Sequence, residues 1–114
     1  MDTEPPAPAV SAEDADLTAR IWEALAKVHD PELHADVVNL GLVYGVEVRE
    51  GAAKVRLTFT SPGCPYGPYL AHLVREAVRA VPGVVSADLD LVFDPPWHPA
   101  LMSEELRLEL GFDL

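Results

Sequence analysis

A single cysteine, Cys64, stands in a chain of 114 residues. That scarcity excludes an internal disulfide framework, the usual staple of small secreted domains. Basic side chains are also few: 8 Lys and Arg face 19 Asp and Glu, for a net charge of −11. Phosphate backbones are gripped by clustered cations, so nucleic acid is excluded as the expected ligand. No apolar run reaches the roughly 20 residues that a membrane helix needs, and no signal-peptide pattern is present. The expected compartment is the cytoplasm. No internal repeat is visible, and 49% hydrophobic residues suffice for one ordinary globular core.

Residues 1–15 hold Asp2, Glu4, Glu13 and Asp14, no base, and Pro5, Pro6 and Pro8. Such a stretch cannot bury enough apolar surface to offset its ordering entropy, so it is expected to be a disordered acidic leader. The domain proper is expected over 16–114. Ser11-Ala12-Glu13-Asp14 has the form of a capping box, with Asp14 or Asp16 as alternative caps. Leu17, Ile21, Ala24, Leu25 and Val28 then recur at helical spacing, which predicts a helix ending near His29 before Pro31.

Tyr44, Val46 and Val48 alternate with Gly45, Glu47 and Arg49, and Glu50-Gly51-Ala52 makes a turn. Val55, Leu57 and Phe59 alternate with Lys54, Arg56, Thr58 and Thr60, so the two segments predict an antiparallel hairpin. Leu70, Leu73, Val74, Ala77, Val78 and Val81 draw one apolar stripe on a second helix, stopped by Pro82-Gly83. Ala87, Leu89, Leu91 and Phe93 predict a third strand. Asp94-Pro95-Pro96-Trp97-His98-Pro99 is too rich in proline for regular structure, and a short helix over 103–110 follows. A crossover through the second helix makes the third strand parallel to the second. The expected fold is α+β: a two-layer sandwich of a small mixed three-stranded sheet with helices packed on it.

Three segments carry chemistry. Cys64 lies in Thr60-Ser61-Pro62-Gly63-Cys64-Pro65, between a strand and a helix start. A thiol there meets the helix dipole and free backbone N–H groups, which favour the thiolate, the nucleophile and soft-metal ligand. His29-Asp30-Pro31-Glu32-Leu33 sets two carboxylates about a proline. They have the chemistry to orient a thiol, bind a metal or take a proton, and equally to make an Asx turn and a cap. In Asp94-Pro95-Pro96-Trp97 the tryptophan is either a lid on the core or an exposed anchor for a partner. If the second and third strands are parallel, the loops with Cys64 and Asp94 leave the same edge of the sheet.

Together these segments, with Leu40-Gly41-Leu42-Val43-Tyr44, resemble the SufT/PaaD-like family of metal–sulfur cluster assembly proteins. The similarity runs from about Leu17 to Leu110. It implies a part in maturing iron–sulfur proteins, with the family's reactive cysteine at Cys64, its acidic pair at Asp30 and Glu32, and its threonine at Thr60. It further implies assembly machinery and client apoproteins as partners; the expected contact surface is Asp94, Pro96 and Trp97, because prolines that hold an aromatic ring rigid lower the entropy cost of presenting it. PaaD proteins extend into a cysteine-rich module, from which a one-cysteine chain departs, and Tyr66-Gly67-Pro68 is an unusual helix start for the family.

One thiolate cannot hold a four-iron cluster, which takes about four cysteine ligands. No tightly bound cofactor is therefore expected. A labile iron–sulfur cluster or iron at Cys64 would need ligands from a second copy or from a client. His29, His34, His72 and His98 make no chelating spacing with Cys64; eight helical residues to His72 span about 12 Å. The chain is read as a non-enzymatic assembly factor. The alternatives are a metal-free protein-binding adaptor, or an enzyme using Cys64 as nucleophile with a histidine base.

Overall fold

Leu17, Ile21 and Leu25, spaced by four, are buried along one face of the first helix, α1 (Ala12–Leu25). The computed structural model describes residues 12–31, 34–60 and 66–111. Helix α1 begins at Ala12, so residues 12–15, assigned by composition to the leader, are helical; Thr18 Oγ1 donates to the Asp14 carbonyl at 2.7 Å. Ser11 and the rest of the leader lie outside the described residues. The helix also ends four residues before His29. The backbone there takes a different partner: Val37 N donates to Val28 O, Asp30 N donates to Ala35 O, and His29 bridges Asp36. Those bonds are incompatible with continued helix.

Strands β1 (Val43–Arg49) and β2 (Ala52–Leu57) pair antiparallel, and β3 (Ser86–Leu91) pairs parallel to β2, in the order β1-β2-β3. The hairpin turn is Glu50-Gly51, with φ of 51° and 85°, which suits the twist of the flanking strands. Helix α2 (Gly67–Arg79) makes the crossover, burying Leu70, Val74 and Val78. It packs on α1 and β3, while α1 packs on β1. The helices thus share a core with Val48, Ala53, Val55 and Leu57. The expected two-layer α+β sandwich with a parallel crossover strand is the observed fold.

Two departures matter for the site. A bulge sets Val43 opposite Leu57 and Gly45 opposite Arg56, leaving Tyr44 as an extra residue in β1. Val43 therefore takes the place beside Leu57, and Tyr44 is released from the alternation that Val46 and Val48 keep. Strand β3 is an edge strand, so Leu91 and Phe93, expected inside, remain 46% and 40% exposed.

After β3 the chain crosses back over the start of β1. Tyr44 Oη donates to Pro95 O at 2.8 Å, Trp97 Nε1 to Leu40 O at 2.7 Å, and Ser103 N to Asn39 O at 2.8 Å. The segment 94–103, with a single turn at Pro99–Leu101, is in effect a strap. It ends in α3 (Glu104–Leu110), capped by Ser103, whose hydroxyl accepts from Leu106 N. Met102 and Leu106 anchor this part in the core. Among the described residues, no helix is long and apolar enough to cross a membrane.

Candidate functional site at the strand ends

Because β2 and β3 run parallel, their C-terminal ends emerge together, beside the start of β1. Val92 N donates to Leu57 O, and Thr58 N donates to Leu42 O. Crevices outside the carboxyl ends of parallel strands are common ligand sites. Thr60 closes β2's path into the connection to α2, and Asp94 follows β3. Phe59 and Phe93 meet edge to face at 6.2 Å between centroids, and Gly67 lies against the Phe59 ring, where a Cβ would fall 2.6 Å from it. The start of α2 is thereby seated on the end of β2. The connection that contains Cys64 has both its ends fixed at this edge.

Asp30 is buried, at 4% exposure, in the loop before β1. Its carbonyl accepts from His34 N at 2.8 Å, and His34 has a φ of 57°. Thr60 is half-buried. Glu32 and Cys64 lie outside the described residues, so their arrangement with Asp30 and Thr60 is a matter for proposal. Helix α2 starts after Tyr66 with no side-chain hydrogen bond at its cap, and Pro68 stands in its first turn. Tyr66 itself thus leaves the first-turn amides without a side-chain cap.

In the strap, Asp94 and Pro96 are exposed, whereas Trp97 is half-buried against the core. Of the two readings of Trp97, its bond to Leu40 O and its packing on the core support the lid. An indole whose N–H is spent on a backbone carbonyl is held inward, and its ring covers the Leu40 turn. Exposed apolar surface in this part of the molecule instead comes from Tyr66, Tyr69, Leu91 and Phe93.

Thr58 and Tyr44 escaped the sequence reading. Alternation puts Thr58 on the outer face with Lys54 and Arg56, yet it is fully buried. The bulge allows the phenol of Tyr44 to hydrogen-bond the Thr58 side chain, and the same hydroxyl reaches Pro95. The one signal available was a tyrosine directly before a glycine at a strand start. Burial raises the Tyr44 phenol above its ordinary value of 10.0, and the Thr58 hydrogen bond partly offsets that. A raised phenol pKa favours the neutral form in the folded state. Its stabilisation is complete below the unfolded value and is lost as pH rises through the folded one. Tyr44→Phe is therefore expected to lose about 1 kcal/mol at neutral pH, one hydrogen bond's worth. Denaturant titrations from neutral pH to above pH 10 check this: the gap to wild type should shrink at the alkaline end, and a constant gap would show that the phenol does not titrate with folding.

Among the described residues no group of three or more His, Cys, Asp or Glu is placed to hold a metal ion. The fold is a small α+β domain whose parallel strands β2 and β3 end at one edge, from which the connection to α2 departs. Residues 18–89 match the iron–sulfur cluster assembly protein family, and the chain belongs to that family. It is similar to an Fe-S protein maturation auxiliary factor of Porphyromonas gingivalis, with 44% identity over 81% of this chain and 89% of that one. The Fe-S protein maturation auxiliary factor SufT of Staphylococcus aureus is 42% identical over 74% of this chain and 97% of its own. A crystal structure of a domain of unknown function, DUF59, from Bacillus anthracis superposes with a TM-score of 0.82 at 33% identity, covering 89% of this chain and 97% of that one. Chains named iron–sulfur cluster carrier proteins match over a minor part of their length, 20% in that of Deinococcus radiodurans.

Proposed function

We propose that this chain is an iron–sulfur protein maturation factor working through Cys64. The observation that carries the reading is the family match over residues 18–89, which includes the strand-end connection where the chain's single cysteine falls. The physical role of each group follows from its place. Cys64 supplies a thiolate to a labile cluster or iron, which is cargo here, favoured by the N-terminal dipole of α2. Asp30, Glu32 and Thr60 serve as its acidic and hydroxyl neighbours, taking protons or holding the thiol in place. Partners are the iron–sulfur assembly machinery and client apoproteins, docking over Asp94 and Pro96, with the exposed rings of Phe93 and Tyr66 as apolar contacts. A second copy is a further source of ligands, since one thiolate leaves most of a cluster's coordination unfilled. The protein acts in the cytoplasm, where such thiols stay reduced.

Anaerobic reconstitution with iron and sulfide tests this. Wild type is expected to gain sulfur-to-iron visible absorbance and to sediment as a dimer, while Cys64→Ser stays colourless and monomeric. A colourless wild type that still captures client apoproteins would replace cluster handling with the metal-free adaptor. Equal colour in both proteins would remove Cys64 from the site.

A further inference from the structure

A second concavity lies on the open face of the sheet, opposite the helices. Side chains on this face alternate in sign: Glu47 stands beside Lys54, Lys54 beside Asp88, and Arg56 beside Asp90, while Gly45 sits opposite Arg56. Where the strap crosses the strand ends, Val43, Val92, Pro95 and Leu101 wall a cavity of about 520 Å³ that also contains Arg56 and Asp94. That volume falls in the range of small-molecule sites, roughly 300–1,000 Å³.

The charges in it are outside the ion pairs of the structure. Among the described residues the ion pairs are Arg20–Asp16 and Arg79–Glu76; Arg56 and Asp94 belong to neither. They line one cavity without approaching within the 4.0 Å of an ion pair. A cation and an anion thus line one open cavity of mixed polar and apolar walls, with Asp90 the cross-strand neighbour of Arg56. Gly45 makes room for the guanidinium, because a Cβ there would fall 2.7 Å from an Arg56 terminal nitrogen. The Tyr44 hydroxyl is already spent on Pro95 O, so it contributes wall.

We infer that this cavity binds a zwitterionic α-amino acid with an apolar side chain. Its carboxylate pairs with the Arg56 fork, its ammonium with Asp94, and its side chain lies against Val43, Val92 and Leu101. A guanidinium matches a carboxylate through two parallel N–H donors. The protein's charge of −11 separates the possible ligands further. An anion is repelled at long range by that field, whereas a zwitterion carries no net charge and satisfies both groups. Nothing in this inference depends on the iron–sulfur reading.

The test is an amide-shift titration of the full chain with L-leucine and L-methionine, alongside leucinamide and N-acetyl-leucine. Leucine and methionine are expected to saturate shifts at Gly41, Val43, Val92 and Leu101. The two blocked forms, each lacking one charge, should bind at least tenfold more weakly. Arg56→Gln and Asp94→Asn should each lose tenfold or more with the remaining spectrum unchanged. Gly45→Ala provides a separate check, since it displaces the guanidinium and keeps the charge; it too should weaken binding. No saturation by about 10 mM, well above a millimolar Kd, would overturn the inference. So would N-acetyl-leucine or a C-terminal peptide binding as tightly as leucine, which would mark a plain carboxylate site.

Discussion

Cys64→Ala is expected to reduce maturation of a four-iron client enzyme at least tenfold, in cells where this chain is the sole member of its family, while leaving its melting temperature within a degree or two. In the proposed role the thiol contributes a reactive group, and its truncation to alanine removes only a sulfur. A residue that served merely as a small buried hydrophobe would behave in the opposite way, with lowered stability and unaltered client activity. Measuring client specific activity and melting temperature on the same variant separates the two. Unchanged client activity with a falling melting temperature would sink the role of Cys64. Asp30→Asn refines the picture. It keeps the volume of a carboxyl that is 4% exposed and removes its capacity to take a proton.

The largest stability effect is expected at Gly41. Its φ is 77°, and a Cβ there would collide with the Leu101 carbonyl. Left-handed backbone costs an alanine about 1–2 kcal/mol. Pushing a backbone carbonyl aside adds a further 1–3 kcal/mol, as overpacking does. Gly41→Ala is therefore expected to destabilise by roughly 2–5 kcal/mol, a drop of about 10 °C or more in Tm. Gly111 is the natural control, because its φ is 82° with nothing within 4 Å of a built Cβ. Gly111→Ala carries the backbone cost alone. Differential scanning calorimetry on both variants measures the collision as their difference; equal losses would show that the strap simply moves away from Gly41.

The hairpin, the second helix and the crossover strand were legible because their patterns are local and strict. Val55 and Leu57 alternate cleanly, and both are fully buried. Leu70, Val74 and Val78 follow one helical stripe onto the same core. What could not be read depends on partners far along the chain. Helix α1 yields at Leu25 because Val28 and Asp30 pair with Val37 and Ala35, a preference that helical periodicity does not register. Thr58 reads as an outward residue until the bulge at Tyr44 puts a phenol beside it. Trp97 reads as lid or anchor, and what supports the lid is a bond to a carbonyl 57 residues away. For the candidate site, the shared edge from which the chain continues to Thr60 and to Asp94 followed from the parallel crossover alone. The charge pair of Arg56 and Asp94 did not, because it needs the strap to close one side.

The strap also bears on the order in which the protein is made. Its bonds join Leu40 to Trp97 and Tyr44 to Pro95, separations of 57 and 51 residues. Contacts so distant in sequence are slow to form, since a long loop must close before they reward it. On the ribosome the first helix, the hairpin and the second helix are all complete before Asp94 has been added. Until then Leu40's carbonyl and Tyr44's hydroxyl lack the partners that the strap supplies. This end of the sheet is thus finished only when the residues after Asp94 fold back onto Leu40 and Tyr44.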